Sequence, residues 1–204
     1  MESEFKIMTI FSKISDFLLL NFLFVITSIP LVTLGASLTA LYAVNLKMVK
    51  GEESYVYRDY FRAFKRNFKQ AVPAFLLFAA VFSLLGINIW ISYQTSGLFF
   101  MVLRALSTIF IICIFICMKY YFPILARFDF TFRQIWMHIP HMIVTHAGSF
   151  LFLVLLNFPI VFLTVYSLYT AAFVIAIAGI FGFAIFTFIE SFIFRKIFKN
   201  YEIA

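Results

Sequence analysis

The sequence predicts an all-α integral membrane protein. It comprises four clear transmembrane helices, two cytoplasmic interfacial amphipathic helices, and an N-terminal Pro/Gly-broken stretch that forms either a helical hairpin or a kinked fifth span. Three observations predict this class. Hydrophobic residues make up 64% of the 204 positions and charged residues 12%, against roughly 25% charged in soluble domains, and the mean hydropathy is +1.04. Four apolar runs each approach the roughly 20 residues needed to cross about 30 Å of hydrocarbon. Finally, Lys and Arg collect at particular ends of those runs, which sets their direction, because basic residues beside spans are retained on the cytoplasmic side. No stretch is polar enough to form a separate soluble domain, so residues 1–204 are read as one membrane domain.

The first apolar region covers residues 15–46. Lys6 and Lys13 precede it and Lys47 and Lys50 follow it, so both of its flanks favour the cytoplasm. The basic start resembles a secretory leader, but residues 30–46 stay apolar where polar mature sequence should begin, and the segment is expected to be retained. Pro30 and Gly35 interrupt the region, leaving two pieces of about 15 residues, each about 22 Å long if helical. A re-entrant hairpin satisfies charge and length together, and a single tilted or kinked pass is the alternative.

Residues 52–70 read as an interfacial helix. Phe61, Phe64 and Phe68 recur at helical spacing, with Arg62, Lys65, Arg66 and Lys69 on the other faces; the phenylalanines are expected to lie on the bilayer, with Tyr57 and Tyr60 in the headgroup layer. These seven residues form a candidate lipid or partner surface, in which the basic side chains meet anionic headgroups of the bilayer. Spans are expected over residues 72–93 and 101–122, joined by an extracellular connection with Gln94, Thr95, Ser96 and Gly97 and no basic residue. Lys119, Arg127 and Arg133 mark the following end as cytoplasmic. Residues 128–140 form a second interfacial segment, with Phe128, Phe130 and Phe132 beside Arg127 and Arg133, then Ile135, Trp136 and Ile139 before Pro140. Spans over residues 147–168 and 171–194 complete the chain around a turn at Tyr169 and Thr170, and Arg195, Lys196 and Lys199 place the C-terminus in the cytoplasm. The Phe61-Arg62 and Phe132-Arg133 pairs each precede an outward-going span, the pattern expected of two parallel repeats of helix, interfacial helix and helix.

Asn21, Pro30, Thr33, Gly35, Ser37 and Thr39 form the most specific polar constellation. Opened backbone and hydroxyls at a helix break suit a polar ligand, and equally suit close packing in which Ser and Thr satisfy freed backbone groups. Arg104 and Glu190 are the charges nearest the hydrocarbon. Each suits either a solute path or a structural place, Arg104 by reaching toward the outer loop and Glu190 by lying near Arg195 at the inner end. Asn88 and Asn157 read as interhelical hydrogen-bonding groups.

His138, His141 and His146 have Pro140 between them and no carboxylate or cysteine at ligand spacing, so no metal site is expected. Cys113 and Cys117 lie four apart in an apolar run and behave as small hydrophobes. No nucleotide-binding loop, His-Glu-x-x-His pair or Gly-x-Ser-x-Gly elbow occurs, so neither an enzyme nor a cofactor is expected. The net charge of +7 belongs to topology and headgroups and not to nucleic acid, for which no recognition module is present.

The string LNFLFVITSIPLVTLGASLTAL over residues 20–41, with Lys50-Gly51-Glu52-Glu53, Tyr60-Phe61 and Phe64-Lys65-Arg66-Asn67-Phe68-Lys69, resembles the amino-terminal signature of the bacterial YesL family. The chain departs from that signature at Leu38, where such families usually carry Pro. The resemblance implies a multi-pass protein of the bacterial inner membrane, of a kind often encoded beside carbohydrate uptake systems and glycan-degrading enzymes. It brings no catalytic residues. From it follows the expectation of a non-enzymatic accessory or regulatory protein whose partners are subunits of a carbohydrate ABC importer. The rival expectation is a small solute transporter or channel with a polar path near the broken helix.

Overall fold

The computed structural model describes residues 2–52 and 55–201, with the side chains of residues 2–11, Val165 and Phe181 excepted. Glu53 of the family-like motif and the side chain of Lys6 therefore lie outside the described residues. The described chain is all-helical. Four of its helical segments are long and apolar enough to cross a membrane, and they are not the four expected: Leu31–Lys50 of the broken N-terminal region is one of them, whereas the expected last span is a sharply bent pair that makes a fifth only if it counts as one.

Helix α1 covers Glu2–Ser28 and stops before Pro30, whose ring removes an amide donor and disfavours helical backbone at the preceding residue. A 3₁₀ turn over Leu31–Thr33 follows. The Thr33 hydroxyl donates to the carbonyls of Thr27 at 2.5 Å and Pro30 at 2.7 Å, so the turn satisfies its own freed backbone. Helix α2, Leu34–Lys50, ends at Gly51, which takes φ +74°. There the Gly51 amide donates to Met48 and the Glu52 amide to Lys47, a glycine-terminated helix end.

These two helices fold back on each other. The Asn21 side chain accepts from the Ala184 amide at 3.1 Å, and the Asn45 amide group donates to the Ala184 carbonyl at 3.1 Å. In one continuous helix residues 21 and 45 would be about 36 Å apart, so a straight pass is excluded and the chain reverses at Ile29 to Thr33. The tip of the hairpin carries Ile29, Leu31 and Val32, all exposed.

Helix α3 runs unbroken over Val56–Gln94, about 58 Å long at the usual rise. The expected division between an interfacial helix at 52–70 and a span at 72–93 is therefore absent. The face that packs also differs from the expected one. Tyr60, Ala63, Asn67, Ala71, Ala74 and Phe78 are among its buried residues, while Phe61 and Phe64 are half-buried and Phe68 is exposed. Small side chains let α3 approach α2 closely, which outweighs the pull of the phenylalanines.

Helix α4 covers Leu98–Arg127. Helix α5, Phe132–Thr145, opens with Gln134 accepting from the Thr131 amide at 2.8 Å, the reaching-back half of a capping box. Unlike the first interfacial segment it is a separate helix, so the two expected repeats are not built alike. Helix α6 spans Ala147–Tyr166 and α7 Leu168–Ile177. After a π turn over Ala178–Gly182, helix α8 covers Phe183–Phe198.

The expected single span at 171–194 is thus broken. Residues on either side of the break, Leu168–Ile180 and Phe183–Phe198, diverge by 81°. Gly179 and Gly182 weaken the helix there, and a turn of wider pitch takes up the bend.

The core sits at one end of the bundle. Helix α2 is its centre, burying residues on most of its faces, and around it close Tyr120 to Ala126 of α4, Ile135 and Ile139 of α5, and Phe194, Ile197 and Phe198 of α8. At the opposite end, side chains such as Leu84, Trp90, Phe110 and Ile112 are exposed, as expected where lipid replaces water as the solvent.

Candidate functional site

Most of the polar constellation expected around the broken helix is consumed by packing. Gly35 lies where α2 crosses α3 and α4. A Cβ there would sit 2.5 Å from the Ala71 carbonyl oxygen and 2.6 Å from Phe75 Cβ. Ser37 and Thr39 are fully buried, and their hydroxyls donate to carbonyls one turn back, those of Thr33 at 3.1 Å and Gly35 at 2.8 Å. Asn21 has a different task. Its amide group donates to Gly179 at 2.7 Å while its oxygen accepts from Ala184, so one side chain from α1 satisfies backbone groups on both sides of the α7/α8 break. Asn45 completes the joint by donating to the Thr187 hydroxyl at 2.6 Å as well as to Ala184. Pro30 stands apart at the exposed tip.

Glu190 is the one expected site residue at the centre of a charged cluster. It is wholly buried on α8, and side chains from three other helices converge on it. Lys119 of α4 lies 2.8 Å from one carboxylate oxygen, and the Asn157 amide of α6 donates to the same oxygen at 2.8 Å. The Tyr42 hydroxyl of α2 donates to the other oxygen.

Two expectations change as a result. Glu190 does not pair with Arg195, because five residues along a helix turn the side chain by about 140°; Arg195 donates instead to the Val49 carbonyl. Nor is Lys119 a marker of the span's end, since α4 continues to Arg127 and Lys119 points into the bundle. Asn157 does bond between helices as expected, and so does Asn88, which accepts from Ser107 at 3.1 Å. A buried ion pair inside a membrane domain is costly unless paired and hydrogen-bonded, and such groups mark functional sites more often than ordinary packing positions. Beside this one lies an open cavity of about 470 Å³ whose walls include Ile112, Val154 and Phe158.

Arg104 belongs elsewhere. It donates to the Ser92 carbonyl at 3.2 Å and stacks 4.1 Å over the Tyr93 ring, holding the C-terminal end of α3. It lies 18 residues, about 27 Å along α4, from Phe122, a neighbour of Gly35. The structure therefore does not bring Arg104 and the broken helix into one path.

The basic residues gather at the packed end. Lys47, Arg62, Arg66 and Arg127 line a cavity of about 200 Å³ together with Asp59, whose carboxylate pairs with Lys47 at 3.2 Å and Arg62 at 3.7 Å. Arg66 also donates to the Ala126 carbonyl at 3.1 Å, near the end of α4, where a cation is favoured. Lys65 and Lys69 are exposed. Among the described histidines, His138 stacks on Phe130 and His141 lies 3.0 Å from the Tyr201 hydroxyl. No group of residues suited to hold a metal ion occurs among the described residues.

Neither a curated protein nor a solved structure matches the chain. A family comparison does, and it falls on the part of the molecule that builds the hairpin: residues 17–89, from α1 through most of α3, match the family described as "Protein of unknown function, DUF624".

Proposed function

We propose that this is a non-enzymatic accessory protein of the bacterial inner membrane, similar to the YesL proteins, that serves a carbohydrate ABC importer or related uptake system. The basic end faces the cytoplasm, and residues 15–46 enter and leave the bilayer from that side. The observation that carries the reading is the position of the family match. Residues 17–89 contain both the hairpin that scaffolds the bundle and the basic first half of α3, and that half presents exposed Arg58, Arg62, Lys65 and Lys69 to a partner or to anionic headgroups. The apolar tip at Ile29, Leu31 and Val32 suits a hairpin that ends in hydrocarbon. Affinity purification after in-membrane crosslinking, at native expression and under sugar induction, should recover importer subunits, and Arg62→Glu with Lys65→Glu and Lys69→Glu should abolish that recovery. A clean preparation without those subunits sinks the proposal.

A small solute transporter is the second reading, favoured by the buried Glu190 and Lys119 pair. Its path would run past that pair and not past Pro30 to Ser37 and Arg104. Reconstituted vesicles with no protein-dependent flux across a panel of sugars and ions would remove it.

A further inference from the structure

The cavity of about 470 Å³ beside Glu190 falls within the usual size of small-molecule sites, and its construction says what chemistry it accepts. Its walls are hydrocarbon, with Ile112 on one side and Val154 and Phe158 on the other, whereas Lys119, Asn157 and Glu190 enter the lining at one place. A molecule that fills it must be mostly apolar with one polar end.

The polar end is constrained in two ways. Glu190 is largely spent as an acceptor, because three of its roughly four lone-pair positions are taken, two on one oxygen by Lys119 and Asn157 and one on the other by Tyr42. Lys119 is different. Its ammonium carries three N–H groups, its bond to Glu190 uses one, and its side chain keeps 23% of its exposure. The site therefore has donors to spare and calls for a ligand with acceptor oxygens. Charge is the second constraint. The positive charge of Lys119 and the negative charge of Glu190 cancel, so an arriving anion or cation would leave a net charge in a low-dielectric site, and an uncharged head would not.

We propose that this cleft binds an uncharged acyl lipid of the diacylglycerol class. An acyl chain lies along Ile112, Val154 and Phe158, and hydroxyl and ester oxygens accept from Lys119. The site is independent of the importer reading, since it lies within the bundle and not on the basic face.

The test uses the full chain, purified in a mild detergent and stripped of lipid, with dioleoylglycerol and the anionic dioleoylphosphatidylglycerol as separate probes. Native mass spectrometry should retain a one-to-one dioleoylglycerol adduct, and the same lipid should raise the temperature of heat unfolding. Val154→Trp, which fills the cleft from a partly exposed wall position, should weaken the adduct about tenfold or more with an unchanged far-ultraviolet circular dichroism spectrum. Lys119→Met paired with Glu190→Leu, which removes the donors without stranding a buried charge, should weaken it likewise. The proposal is overturned if no one-to-one adduct forms, if phosphatidylglycerol is retained as well as or better than dioleoylglycerol, or if Val154→Trp binds as the parent does.

Discussion

Replacing Gly35 by alanine should destabilise the protein, although alanine is the better helix former. The new Cβ would stand 2.5 Å from the Ala71 carbonyl oxygen, 2.6 Å from Phe75 Cβ and 3.1 Å from Phe122 Cε1, where ordinary contact begins near 3.4 Å. The first neighbour is backbone and the second is attached directly to it, so neither can swing aside. Helix α3 would have to retreat from α2 by most of an ångström. Overpacking of this kind costs about 1–3 kcal/mol, against a gain of about 1 kcal/mol in helix propensity, for a net loss of up to about 2 kcal/mol. Gly86, also within α3, supplies the control, because a Cβ there meets nothing within 4 Å. Gly86→Ala should gain stability by up to about 1 kcal/mol. Unfolding by sodium dodecyl sulfate in mixed micelles, followed by circular dichroism, measures both. If Gly35→Ala is as stable as Gly86→Ala, the close crossing of α2 and α3 is refuted.

Other substitutions follow from the same contacts. Glu190→Ala should cost about 3–5 kcal/mol by leaving Lys119 unpaired, and pairing Lys119→Met with Glu190→Leu should recover much of that loss; a double-mutant cycle with no coupling would contradict the buried pair. Asn21→Ala should cost about 1–3 kcal/mol for the two backbone groups it releases, and hydrogen exchange at the Ala184 amide should rise sharply. Gly51→Ala should cost about 1–2 kcal/mol in thermal unfolding, because φ is +74° there and disfavours an L side chain.

The parts of the fold legible in the sequence are those that local pattern controls. Helices α4 and α6 follow from apolar length, and the hairpin follows from basic residues on both flanks of a stretch broken by Pro30 and Gly35. The α7/α8 break was not legible, because Gly179 and Gly182 in an apolar run look like residues a membrane helix tolerates; the bend depends on Asn21, which lies more than 150 residues away and satisfies the opened backbone. Glu190 is visible as a charge near the hydrocarbon, but its partner Lys119 lies 71 residues away, beyond the reach of any pattern among sequence neighbours. The available signal was that Lys119 falls inside the apolar run at 101–122. In α3 the phenylalanines give the stronger hydrophobic pattern, but the seam of Ala63, Asn67, Ala71 and Ala74, spaced by three and four residues, marks the packed face.

The hairpin is the element on which the bundle, the basic end and the proposed orientation all depend. Its most direct test is cysteine accessibility in the native membrane, with Cys113→Ala and Cys117→Ala as background and single cysteines introduced as Ser12→Cys and Glu52→Cys. Both positions are exposed and lie on opposite sides of the turn at Pro30. A membrane-impermeant maleimide should label both in inverted vesicles and neither in intact cells. Labelling of Ser12→Cys from outside the cell with Glu52→Cys reached only from inside would show a single pass and contradict the account.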